Sequence, residues 1–202
     1  AALTGLRPVA ELMFMDFIGV CLDQIVNQIA KFRYMFGGRC DVPLVIRTLI
    51  GAGLGAGPQH SQSFHGIVTS IPGLKVVLPS NAYDAKGLLI TAIRDNDPVI
   101  FCEHKTMYTE SCEVPDGEYT IPFGKANITR KGDQVTIVAF SRMVNFANKA
   151  ADKFVDAAVL NDPAVYPDAE LRKRLWTQKT LSQDLERART RAWSDIKTGS
   201  GS

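Results

Sequence analysis

The sequence contains no apolar run near the roughly 20 residues that a membrane-crossing helix requires, so no such span is expected. Neither charge is in excess. Its 23 Lys and Arg stand against 21 Asp and Glu, interspersed along the chain, which leaves no broad basic face for nucleic acid and no acidic tail. Cys21, Cys40, Cys102 and Cys112 include no C-x-x-C pair, and two of them sit inside apolar runs, where cysteine acts as a small hydrophobe. Reduced thiols in the cytoplasm are expected. The N-terminus shows neither the charged nor the apolar region of a signal peptide, and it opens on Ala1 to Gly5 as a segment continuing from a longer chain would. Repeats and low-complexity tracts are absent. What is present, 46% hydrophobic and 22% charged residues, suits a globular chain able to bury a sizeable core.

Residues 8–15 read as a short buried strand. Asp16 then stands where a helix N-cap would, ahead of apolar Ile18, Cys21, Leu22, Ile25, Ile29 and Phe32 at three- and four-residue spacing, which predicts a helix over 17–34 stopped by Gly37 and Gly38. Residues 43–50 form a second apolar run, continuous as a parallel sheet covered on both faces demands. A third strand is expected over 74–79, a helix capped by Ser80 or Asn81 follows through Ile93, and a fourth strand covers 99–103. Strands alternating with helices imply parallel pairing, so residues 1–110 are expected to form an open α/β sheet with flanking helices, whose sites lie at the carboxyl ends of its strands. Residues 111–133, rich in Pro, Gly and charge, read as a linker. Residues 134–140 and 143–154 then read as the strand and helix that open a second α/β domain, and two polar, Arg-rich helices are expected near 168–178 and 182–197.

The densest signal for a site follows the second strand, where glycines at 51, 53, 55 and 57 precede His60, Ser61 and Gln62. Alternate glycines allow positive φ and close approach to a ligand. The stretch is neither a G-x-G-x-x-G opening a helix nor a Walker loop, which disfavours a nucleotide-phosphate site; on spacing alone it equally suits a surface loop with a solvated histidine. His65 and His104 read as ordinary packing or surface histidines, Glu103 and Asp97 as caps or ion-pair partners. Phe14 and Phe17 flank Asp16 at the end of the first strand, placed either to pack on a ligand ring or to fill core.

The runs 7–17, 23–38, 59–62, 71–77, 83–89 and 92–105 closely resemble, in the same order, the β subunit of thiamine-diphosphate-dependent 2-oxo-acid and acetoin dehydrogenases, acetoin first and pyruvate second. The resemblance covers about residues 1–154. It implies a transketolase-like pyrimidine-binding domain and a cofactor shared between subunits, with an α subunit holding the diphosphate and Mg²⁺ and this chain holding the aminopyrimidine. Phe17 matches the aromatic that packs on the pyrimidine. His60 matches the histidine implied in proton transfer or acyl transfer to lipoamide. Leu44, Val45, Ala92, Asp95 and Asp97 match a structural potassium site of some members. An α₂β₂ assembly and a lipoyl acyltransferase are the implied partners. The glutamate that activates the cofactor in the family lies upstream of the segment matching Ala1, so the chain alone is expected to be inactive.

From residue 161 onward the sequence resembles instead the C-terminal end of a periplasmic polyamine-binding protein, which implies a tail of foreign character joined near 154–160. Two rival functions follow: a solute-binding module for polyamines, resting on the tail only, and a non-catalytic interaction domain.

Overall fold

A computed structural model describes residues 1–132 and 135–154. The chain divides into two compact units, Ala1–Asp152 and Lys153–Ser202, and nearly all described residues belong to the first. The two Arg-rich helices expected near 168–178 and 182–197 lie outside the described residues.

Among the described residues there is one four-stranded sheet, built from β1 (Val9–Phe14), β2 (Val45–Ile50), β3 (Lys75–Val77) and β4 (Val99–His104). All pairings are parallel, in the order β1-β2-β4-β3. The expected open parallel α/β architecture is what forms. Alternation along the strands sends Ile46, Ile50, Ile100 and Cys102 to one face and Val45, Val99 and Phe101 to the other, and each face has its own core. That two-sided burial explains why β2 and β4 read as unbroken apolar runs.

The first face is covered by Met15, Ile18 and Ile25 from the segment after β1, together with Val68 from α2 (His65–Thr69). Here the expected helix over 17–34 departs from expectation. A 3-10 turn over Met15–Val20, a π-helical stretch over Gln24–Ile29 and the single-turn helix α1 (Phe32–Met35) stand in its place. Asp16 caps nothing, because its carboxylate is bonded to Gln62 instead. Ile18 and Ile25 are still buried, with Cys21, Leu22 and Ile29 packed against them. The spacing thus foretold the buried face and not the hydrogen-bond ladder.

The second face is covered by α3 (Ala82–Arg94), whose N-cap Asn81 accepts the Asp84 N–H at 2.7 Å. Ala92 of that helix is buried, and Leu88, Leu89, Ile93 and Phe123 pack with it. Part of the expected linker therefore belongs to the fold. Ile121 donates its N–H to the Gly87 carbonyl at 3.2 Å, and Thr91 donates to the Ile121 carbonyl at 2.8 Å. Gly87 has the room for this only because it lacks a Cβ, which would stand 2.7 Å from Ile121 and Tyr119.

The strand expected over 134–140 does not form among its described residues, 135–140. A strand exists only beside a partner that takes its N–H and C=O groups, and no described strand lies alongside. Val135 and Val138 are 73% and 90% exposed. The helix expected next is present as α4 (Arg142–Phe154).

At the amino end of the sheet, charges gather. Lys75 Nζ bonds both oxygens of Asp95 at 2.8 Å and reaches Asp97 at 3.0 Å, while Arg33 reaches Asp97 at 2.7 Å and Asp41 at 3.3 Å. Arg7 adds bonds to the carbonyls of Ile93 and Asp95 at 3.0 and 2.8 Å. Burial pulls the Asp97 carboxyl upward, but Lys75 and Arg33 outweigh it and hold it below its ordinary 3.8. For Lys75 burial works downward, and Asp95 and Asp97 outweigh it, holding the ammonium above 10.5.

Two outcomes are expected from denaturation measurements. Gly73 has a φ of +99°, and a Cβ there would stand 1.9 Å from the Ala30 carbonyl oxygen. Gly73→Ala should therefore lower unfolding free energy by roughly 2 kcal/mol; a urea midpoint equal to wild type would show that the backbone yields there. Lys75→Met should lower the melting temperature at neutral pH. Asp97, depressed when folded, contributes stability that is present above 3.8 and lost as pH falls through its folded value. The gap between Lys75→Met and wild type should close on that acid side, and a gap that persists there would rule out the ion pairs as its source.

Candidate active site

Parallel pairing puts Phe14, Ile50 and His104, the last residues of β1, β2 and β4, at one edge of the sheet. This is where an open α/β sheet leaves room for a ligand. The register of β1 slips by one residue between Leu12 and Phe14, so that Met13 is extra and Phe14 stands opposite Leu49. Such a bulge re-aims the side chains beyond it. The 3-10 turn that follows carries Phe17 outward, 40% exposed.

After β2 the glycine-rich segment doubles back. Gly51 takes a φ of +90° and donates its N–H to the Gln62 carbonyl at 3.1 Å. A Cβ at Gly51 would stand 2.1 Å from His104 Nε2, and one at Gly53 would stand 2.8 Å from Thr106. These glycines serve close packing against the residues after β4. The loop can then set His60 beside the end of β1.

There the imidazole of His60 meets Phe14 at 4.7 Å and Phe17 at 5.4 Å between ring centroids, edge-on to both, with Phe14 and Phe17 6.3 Å apart. Beside it, Asp16 Oδ1 accepts the Gln62 N–H at 3.1 Å and Nε2 at 2.8 Å. Burial raises the Asp16 carboxyl, but the Gln62 bonds outweigh it and hold it below its ordinary value. Behind it lies Lys105, only 4% exposed, whose ammonium donates to the His60 carbonyl and stands 4.9 Å from the Phe14 ring centroid. A half-exposed phenyl beside an imidazole can hold a flat heterocycle and move a proton next to it.

Phe17 and His60, far apart in sequence, are therefore brought together. The other histidines take structural places. His104 bonds Thr106 at 2.9 Å, and burial, reinforced by Arg142 and Lys105, keeps its pKa below 6.5. His65 packs against Phe140 at 5.6 Å. Glu103 is the ion-pair partner of Arg47 at 2.7 Å and accepts from Tyr108 at 3.0 Å. Burial pushes the Cys102 thiol up to about 12, which removes it as a nucleophile.

Leu44, Val45, Ala92, Asp95 and Asp97 lie at the opposite, amino end of the sheet. They do gather, but their carboxylates already face Lys75 and Arg33, and Arg7 occupies the Asp95 carbonyl. Three organic cations around these oxygens repel a fourth positive charge. The donor set does not fit potassium.

Lys105 and the Asp16–Gln62 contact escape sequence reading. A lysine after a strand end looks like any exposed lysine, and Asp16 looks like a cap.

Residues 1–110 match the family described as "Transketolase, pyrimidine binding domain", and residues 124–179 match "Transketolase, C-terminal domain". The second match runs past residue 160, into the segment where a foreign tail is expected. The chain is 58% identical over 171 residues to the Bacillus subtilis "Acetoin:2,6-dichlorophenolindophenol oxidoreductase subunit beta", covering 83% of this chain and 50% of that protein. It is 63% identical over 151 residues to the protein of the same description from Cupriavidus necator, covering 75% and 45%. The chain thus spans about half the length of the curated relatives it matches. A solved structure, "Split gene transketolase, inactive beta4 tetramer", superposes with a TM-score of 0.60 at 22% identity, covering 76% of this chain and 46% of that one, a likeness of fold. With its parallel sheet and with more than half its length matched, the chain belongs to the transketolase family through a pyrimidine-binding domain at residues 1–110.

Proposed function

We propose that this chain is the pyrimidine-holding part of an acetoin dehydrogenase β subunit, which works with thiamine diphosphate in the oxidative cleavage of acetoin and passes the acyl group to lipoamide. The observation that carries the reading is the exposed Phe17 ring 5.4 Å from the His60 imidazole at the carboxyl edge of the sheet. Relatives 58% and 63% identical, both described as acetoin oxidoreductase β subunits, support acetoin as substrate. No observation in the described residues favours the polyamine reading.

The described residues fit the cofactor's ring. Phe17 offers an accessible aromatic ring suited to an aminopyrimidine, and Phe14 packs edge-on against it. Bound thiamine diphosphate supplies a carbon nucleophile toward the substrate carbonyl. His60 delivers or accepts the proton at the substrate oxygen, or gives it to the lipoamide sulfur released as the S–S bond breaks and the acyl group joins the other sulfur, a task that suits an imidazole near neutral pH. Asp16, held ionised by Gln62, and the Lys105 ammonium flank it without touching the imidazole nitrogens. The relatives' description as β subunits supports an α-subunit partner, to which the diphosphate and Mg²⁺ are assigned, in an α₂β₂ assembly that delivers to a lipoyl acyltransferase. The free thiols suit a cytoplasmic setting.

The test uses a complete β subunit carrying these residues, assembled with its α partner. His60→Ala should slow acetoin-dependent reduction of dichlorophenolindophenol on the order of 10²-fold, with the melting temperature unchanged. Phe17→Ala should instead raise the thiamine diphosphate concentration needed for half-maximal rate. Unchanged turnover in His60→Ala would sink the assignment.

A further inference from the structure

Lys105 is the one buried side chain among the described residues that carries a full charge. No carboxylate of the described residues lies within salt-bridge reach of its ammonium, which has only the His60 carbonyl and the face of Phe14. Burying an ammonium without an anion is costly, and an apolar side chain of similar length would fill the same space more cheaply. Stability alone does not account for the charge. What the charge does touch is the main chain of the residue to which the proton transfer is assigned.

A second attachment lies two residues on. Gln62 gives both its main-chain and side-chain N–H groups to one oxygen of Asp16, a residue between Phe14 and Phe17 in sequence. Ser61, in the middle, donates to the Gly57 carbonyl at 2.7 Å and closes the turn. Residues 60 to 62 are thus held from behind by a cation and from the side by an anion. The anion belongs to the 3-10 turn that carries Phe17, and the cation, from the segment after β4, stands over the Phe14 ring.

We propose that Lys105 and Asp16 are positioning residues, a two-sided clamp that fixes the His60 imidazole edge-on to Phe14 and Phe17. Neither touches the reacting atoms; each acts through the backbone or the neighbour of His60. The inference rests on the role proposed for His60, but the clamp itself is a property of the chain without ligand. A neutral residue at 105 lets the His60 carbonyl turn away, and the ring leaves the two phenyl edges. Loss of the Asp16 acceptor frees Gln62 with the same result.

Ring currents from two phenyl groups make the imidazole signals a direct readout. Isotope labelling of histidine ring carbons gives three signals in the full chain, and His60→Gln identifies that of His60. Lys105→Met should move the His60 signal toward the value of a histidine in an unfolded peptide, leave that of His65 in place, and keep or raise the melting temperature, a split that a merely structural lysine would not produce. Lys105→Arg should restore the signal. Asp16→Ala should move it in the same way, and Asp16→Asn, which keeps the acceptor, should not. A His60 signal that stays in place in either Lys105→Met or Asp16→Ala, with the chain folded, overturns the clamp; if Lys105→Met does not fold, Asp16→Ala decides alone. The signal is read without cofactor, substrate or partner, so the clamp can fail while His60→Ala still slows turnover, and the reverse.

Discussion

Parallel pairing of β1, β2 and β4 is what the site depends on. Buried backbone N–H and C=O groups must pair, and in a sheet covered on both faces they can pair only with neighbouring strands. Once the strands run the same way, the segments after β1, β2 and β4 all leave at one edge. Phe17, His60 and Lys105 each lie in one of those segments. Residues separated by dozens of positions are therefore brought together at one end of the sheet.

The two ends of the sheet solve different electrostatic problems. At the amino end, Asp95, Asp97, Lys75 and Arg33 are partly exposed and mutually neutralising, which tethers the connection before β4 at modest desolvation cost. At the carboxyl end the charges are split: the Lys105 ammonium sits behind the rings and the Asp16 carboxylate beside them, and they do not pair with each other. A buried ammonium without a carboxylate partner is costly, and a fold keeps one where it orients something else.

Four strand positions and the helix over 82–94 were legible because each is a contiguous apolar or capped pattern with a local cause. The segment 17–34 was legible only in part. Its three- and four-residue spacing foretold that Ile18 and Ile25 face the core, yet the diversion of Asp16 to Gln62, across 46 positions, could not be seen locally. The run at 134–140 misled for the opposite reason: its residue types favour a strand, but strand formation is decided by a neighbour, not by the run. At the site, Phe17 and His60 were legible through resemblance, whereas Lys105 was not, since its burial is created by the loop that folds over it.

That loop changes how its glycines should be read. An alternation of Gly51, Gly53, Gly55 and Gly57 suggests flexibility, and flexibility suggests a mobile flap. Yet Gly51 and Gly53 lie so close to His104 and Thr106 that added Cβ atoms would collide with them, and Gly51 also gives its N–H to Gln62. At those two positions the missing side chain serves proximity, at the entropic cost that glycine imposes on folding. Gly55 and Gly57 meet nothing and take positive φ, so they turn the chain. One half of the loop is packed down and the other half bends it back, and together they deliver His60 to the strand edge with its backbone already restrained. In the role proposed for His60, a loop restrained in this way would supply its imidazole in one orientation before any ligand arrives, which is the condition under which a proton donor lowers a barrier instead of spending binding energy on its own ordering.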